Sequence, residues 1–401
     1  MIKYKLNNPN KFISIGAKLF PLSIYIYIIL KQFYLFESGY PQISDIILII
    51  SIIFIFIYSL LNNNNIYISE QDIILILILI YIITINSLWF IKLNDTSFLI
   101  SNIYYIFNFI AILYINICYD IVDYHLSLNL SYCAKIAIII LLFNIFANPI
   151  DQIRQIGGFN NPNQLGYYSV VLMTILYYNK ENIKFIDLIF ILLALWISIL
   201  SLSKAAIVAN VIMIMANINK KNIKSILILI FITFVVILIF SIGKSIDYKE
   251  ALSQSKLVWR FANIFNETDS ALIEGRGYGR IKEIGINIIW GFGEGGFNRY
   301  KIMTGMETHS TFITVLLSYG IIGFVLFILY FLYPLIIKKS SFRSYFKIFI
   351  GIILYMVSHN GIRNSLIWLM YAIYANDHYR GKTMPSATDS TTIETEYSVC
   401  T

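Results

Sequence analysis

The stretch QDIILILILIYIITINSLWFI, residues 71–91, holds a single charged side chain, Asp72. A helix needs roughly 17–25 predominantly apolar residues to cross a hydrocarbon core, and a run of this length with no alternation is too long for a strand. Similar runs recur along the chain. The expected spans are 14–36, 43–61, 71–91, 97–118, 131–149, 165–179, 185–201, 204–218, 225–243, 310–335, 345–358 and 364–377, about twelve helices in all. The fold class that follows is all-α, a polytopic transmembrane helix bundle. Lipid offers backbone groups no water, so each segment must satisfy its own hydrogen bonds.

Composition agrees with this reading. Of 401 residues, 58% are hydrophobic and 13% charged, and the mean hydropathy is +0.73. The first apolar run is long enough to remain as a membrane helix and lacks a clear cleavage site, so no removable signal is expected. Cys118, Cys133 and Cys400 have neither metal nor redox spacing. The chain is expected to form one transmembrane domain, 1–382, followed by a polar, disordered tail at 383–401.

Orientation comes from cations in the short connections, which are retained in the cytoplasm. With twelve spans, Lys3, Lys5, Lys11, Lys180, Lys184, Lys220, Lys221, Lys224, Lys338, Lys339, Arg343, Lys347, Arg380 and Lys382 fall on one side. Both termini are then cytoplasmic, and the net charge of +8 is a consequence of topology that calls for no nucleic acid. The same count places 150–164, 201–204, the long segment 244–309, and 359–364 together on the outer face. The long segment contains Trp259, Phe261, Tyr278, Trp290 and Phe297 and is expected to fold against the bundle, since connections of this length are usually functional or disordered.

The outer face carries cations that the positive-inside tendency would keep on the other side: Arg154, Lys204, Arg260, Arg276, Arg280 and Arg363. A guanidinium matches phosphate oxygens and keeps its charge at any workable pH, so these point to an anionic ligand. Arg260 and Arg363 read equally well as snorkelling or surface cations. Arg154 stands beside glycines that permit a turn with open backbone N–H groups. His309, where the long loop enters the next span, is a candidate base for a hydroxyl proton, with Glu307 to orient it or act instead. It reads equally as a polar residue at a helix start, with Ser310 or Thr311 as cap. His359 is a second, weaker candidate. GFGEGG, residues 291–296, satisfies G-x-G-x-x-G, yet no strand–helix–strand unit surrounds it. It reads as a glycine-hinged loop whose Glu294 meets a sugar hydroxyl, rather than as a dinucleotide site. No carboxylate, cysteine or histidine cluster has metal-ligand spacing, so no metal or other cofactor is expected.

Three elements then fall in order. Arg154 precedes GFNNPNQLG (158–166); SKAA (203–206) opens a later span; and a long outer loop with an Arg, a G-x-G turn and His309 opens another. Over residues 150–335 this order resembles the O-antigen ligase and O-antigen polymerase superfamily. One departure is Lys204, where the family usually has Arg. The resemblance implies inverting, metal-independent glycosyl transfer on a scaffold similar to the C-type glycosyltransferases, at the periplasmic face of the bacterial inner membrane. The implied partners are undecaprenyl-pyrophosphate-linked glycans as donor and acceptor, membrane lipids and a chain-length regulator. Arg154, Lys204 and Arg276 or Arg280 would neutralise the departing pyrophosphate. His309, with Glu307, would manage the acceptor proton, and Asn160, Asn163 and Glu294 would meet sugar. Asn160, Asn161 and Asn163 read alternatively as satisfying the turn's own backbone. Polymerisation of repeat units is the preferred activity; ligation of the finished chain to lipid A-core or protein, and transport of lipid-linked sugars, are the alternatives.

Overall fold

The computed structural model describes residues 11–37, 40–61, 69–122, 126–147, 154–178, 183–217, 277–278, 281, 285–297, 308–336 and 342–380. Among them are eleven α-helices and no strands: α1 (Lys11–Leu30), α2 (Ile43–Leu61), α3 (Glu70–Leu93), α4 (Ser97–Val122), α5 (Ser127–Ala147), α6 (Pro162–Tyr177), α7 (Phe185–Leu200), α8 (Lys204–Asn217), α9 (Thr311–Ile336), α10 (Phe342–Ser358) and α11 (Ser365–Arg380). Five stretches, Ile43–Leu61, Glu70–Leu93, Ser97–Tyr119, Asn129–Ala147 and Thr311–Ile336, are long and apolar enough to cross a membrane. Phe20–Leu30, Phe185–Leu200 and Lys204–Asn217 are apolar but shorter. The chain is a helical membrane protein. On α2, Ile46, Ile49, Ile50, Ile53, Phe54 and Ile57 stand exposed in an apolar stripe suited to lipid. The span expected at 225–243 lies outside the described residues.

α6 is the central helix. It packs on α5, α7, α8 and α10, and every residue from Leu165 to Tyr177 is buried. Its approach to α8 is set by Gly166, where a β-carbon would lie 2.7 Å from Ser203 Cβ and 3.0 Å from Ala206 Cβ. The small residues of SKAA are thus a packing surface for α6.

α1 ends at Leu30, six residues before the end expected from hydropathy. The chain turns because Lys31 reaches Asp45 at 2.6 Å. Gln42 then fastens the return, its Oε1 accepting from Leu35 N (2.9 Å) and Phe36 N (3.1 Å) and its Nε2 donating to Tyr40 O (2.9 Å). The carboxylates keep to helix ends in this way. Every carboxylate on the described helices lies in a first or last turn, as with Asp72, which forms a capping box with Ser69 on α3. At the bundle end opposite the 31–42 turn, Asp377 accepts from Tyr119 (2.6 Å) and Tyr178 (2.9 Å), and Asn376, Asn116 and Asp72 form a hydrogen-bonded row.

α9 is broken. Gly320 has φ 62° and ψ −168°, a conformation essentially restricted to glycine. The segment 289–293 is laid into the break. Phe292 N donates to Leu317 O (2.9 Å), Gly293 N to Ser318 O (2.8 Å), and Ile322 N to Ile289 O (3.5 Å). Tyr81 and Trp89 of α3 hold the junction from the other side, through Tyr319 O (3.1 Å) and Gly291 O (3.1 Å). A β-carbon on Gly320 would sit 2.2 Å from Ile289 O, and one on Gly291 2.3 Å from Ser318 O. Gly320→Ala is therefore expected to destabilise the protein by more than the roughly 1–3 kcal/mol of backbone strain alone. Thermal unfolding in detergent measures this, and an unchanged midpoint would refute the account of the break.

Candidate active site

Arg154, Asn160, Asn163, Lys204, Glu294 and His309 all lie among the described residues; Glu307, Arg276 and Arg280 lie outside them. Arg154 is half-buried and spans the junction of three helices. Its Nε donates to Ser201 O (2.9 Å) between α7 and α8, and its Nη2 donates to Asn163 Oδ1 (2.8 Å) in the first turn of α6. Gln155 N adds a bond to Leu200 O (3.1 Å). Lys204, two residues beyond the left-handed Leu202 (φ 49°), heads α8. The N-termini of α6 and α8 therefore meet beside Arg154, with Gly166 of α6 packed on Ser203 just ahead of Lys204, an arrangement favourable to an anion.

The three asparagines divide their work. Asn161 is the N-cap of α6, accepting from Gln164 N (2.9 Å). Asn160 is exposed and ties the turn to α1's exit through Phe36 O (3.0 Å). Tyr34 N does the same from the other side, reaching Gly158 O at 2.8 Å. Asn163 bonds Arg154 with its side chain while its carbonyl accepts from Tyr355 Oη (2.7 Å).

Tyr355 connects this corner to the histidines. Its ring stacks on His359 with centroids 4.6 Å apart and planes at 21°, a consequence of their spacing of four on the last turns of α10. His359 meets His309 edge-on, with centroids 6.2 Å apart. The backbones are pinned as well: Thr311 donates to the His359 carbonyl from N (3.2 Å) and Oγ1 (2.9 Å), and Thr311 Oγ1 accepts from Gly361 N (2.9 Å). Ser310 Oγ accepts from Ile313 N at 3.5 Å, a weak N-cap for α9. The structure thus joins Arg154, Asn163, Lys204's helix start and His309 at one end of the bundle. Tyr355, absent from the sequence reading, is the connecting member; an aromatic four residues before His359 on a helix was the available clue.

Glu294, expected to meet a sugar hydroxyl, has both carboxylate oxygens engaged within the protein. It is 1% exposed. Oε1 accepts from Arg363 Nε (2.8 Å) and Oε2 from Tyr105 and Tyr319 (2.8 Å each), while its backbone N donates to Asn86 Oδ1 (2.9 Å). Burial pushes its carboxyl pKa up, but the Arg363 guanidinium and the two tyrosine hydroxyls outweigh that and hold it below the usual carboxylate range. The buried Glu294 and the partly exposed Arg363 form a clamp that fastens the glycine-rich segment to the 359–364 turn.

No protein-family model matches this chain, and no curated protein matches it.

Proposed function

We propose that this protein is a membrane-embedded glycosyltransferase. On this reading it polymerises oligosaccharide repeats carried on undecaprenyl pyrophosphate, at the extracytoplasmic face of a bacterial inner membrane. The observation that carries the reading is the continuous contact path from Arg154, beside the helix start that carries Lys204, through Asn163, Tyr355 and His359 to His309. A cationic corner linked through packed side chains to a base supplies both groups that transfer from a pyrophosphate needs. The acceptor hydroxyl attacks the anomeric carbon, the carbon–oxygen bond to phosphate breaks, and the bonding pair leaves on the pyrophosphate. Arg154 and Lys204 stabilise that charge as it grows, and His309 takes the hydroxyl proton. Attack from the face opposite the leaving group inverts the anomeric centre. A lipid-linked donor would reach the corner laterally, its tail remaining in the bilayer.

Flipping of the same lipid-linked sugars is a second reading, favoured by one feature, the discontinuous α9, because broken helices at membrane depth recur in transporters. The two readings separate in a surface-polysaccharide ladder from cells that carry the His309→Ala variant at normal membrane abundance. A polymerase leaves core plus a single unit. A ligase leaves long chains on the lipid carrier, and a flippase leaves unflipped single units. A full wild-type ladder would refute the assignment of His309 as the base.

A further inference from the structure

The path described above gives His359 more to do than end a helix. We infer that His359 is a positioning residue that sets the ring orientation of His309 and couples it to the Arg154 corner. Its consequence for turnover rests on the transferase reading; its consequence for His309 does not.

Four independent contacts fix His359. Its ring lies on Tyr355 at 4.6 Å. Ser358 Oγ stands 3.2 Å from its Nδ1. Its carbonyl receives two bonds from Thr311, and its own N donates to Tyr355 O at 2.9 Å. Against this fixed plane His309 packs edge-on at 6.2 Å, and Tyr278 Oη reaches the His309 carbonyl at 3.5 Å from another part of the chain. Tyr355 is in turn immobilised from both sides: Tyr167 of α6 packs on it at 5.0 Å, and its hydroxyl is held by the Asn163 carbonyl. Asn163 is the residue whose side chain orients Arg154. A displacement at the anion corner is therefore transmitted through two rigid aromatic rings to the base. Loss of the His359 ring removes the surface that sets His309, and a misplacement of about 1 Å in a catalytic group costs about 100-fold in rate.

The experiment compares wild type, His359→Ala, His359→Phe and His309→Ala as purified full-length protein in detergent. Modification of His309 by diethyl pyrocarbonate, followed by mass spectrometry of the His309 peptide, reports how far the ring is covered, with no need for substrate. Transfer from a lipid-linked oligosaccharide gives kcat and KM separately. In His359→Ala, His309 is expected to be modified several-fold faster, with kcat reduced about 100-fold and KM nearly unchanged. His359→Phe keeps the ring against both Tyr355 and His309, so it restores protection of His309 and most of kcat. Unchanged modification in His359→Ala overturns the inference. So does a His359→Phe variant as inactive as His309→Ala, because the imidazole itself would then be doing chemistry. An absence of transfer by wild type, with His309 still uncovered in His359→Ala, would refute the transferase reading and leave the positioning role standing.

Discussion

On the transferase reading, Arg154→Ala is expected to lower the rate of transfer by about 10²–10³-fold, the loss typical when one preorganised donor to a developing anion is removed. The effect should fall on kcat, since the charge that Arg154 opposes is larger in the transition state than in the bound donor. The structure refines this through the conservative variant. Arg154 holds the α7–α8 junction with Nε and Asn163 with Nη2, and these two bonds need the width of a guanidinium. Lysine supplies charge without the fork. Arg154→Lys should therefore recover only part of the rate, and the remaining deficit measures how much the geometry of the corner contributes. Kinetics of both variants with a lipid-linked donor make the comparison. If Arg154→Ala turns over at the wild-type rate, the corner is a structural joint and the pyrophosphate lies elsewhere.

The second large effect is on stability. Removing one partner of a buried ion pair leaves an uncompensated group and typically costs 3–5 kcal/mol, far more than an exposed pair is worth. Glu294 is 1% exposed with both oxygens engaged, while the Arg363 side chain is 38% exposed, so solvent screening puts the cost of losing Arg363 below that range. The folded pKa of Glu294 lies below its unfolded value. The stabilisation is therefore complete above the unfolded pKa, about 4.3, and is lost as pH falls through the folded pKa. Arg363→Met reverses that sign. Burial then dominates, the folded pKa rises above the unfolded one, and the variant is penalised increasingly as pH rises toward neutrality. Wild type should lose unfolding midpoint on acidification below about pH 4, while Arg363→Met should be closest to wild type in acid and furthest from it at pH 7. Parallel pH profiles for the two proteins would show that the clamp does not carry the charge assigned to it.

Much of this architecture was legible because it depends on local pattern. Apolar run length located the helices beginning at Ile43, Ser97, Phe185 and Lys204. The alternation of span direction brought Arg154, Lys204 and His309 to one end without any knowledge of contacts. What stayed hidden depends on partners distant in sequence. The exit of α1 at Leu30 was obscured because Lys31 and Gln32 are followed by Phe33 and Tyr34, and the turn is made by Asp45 and Gln42 across a gap that hydropathy does not see. Glu294 reads from its flanking glycines as part of a hinged loop that meets a sugar hydroxyl, and that pattern says nothing of its partners. Gly291 instead lets main chain lie against the α9 main chain at Ser318, Gly293 and Gly296 pack on Phe98, and the tyrosines that complete the site come from α4 and α9. No local window relates residues 105, 294, 319 and 363.

The break in α9 also bears on how the protein is made. Within an uninterrupted helix the Ser318 carbonyl would bond to Ile322 N four residues on; here those two groups are satisfied by Gly293 and Ile289, synthesised some turns of chain earlier. An unpartnered amide and carbonyl in hydrocarbon cost several kcal/mol. The two halves of α9 therefore settle at their final depth only after the upstream glycine-rich segment has docked on α3. An order of assembly is then expected: α3 in place first, with Tyr81 and Trp89 presented, and the two halves of α9 settling against it afterwards.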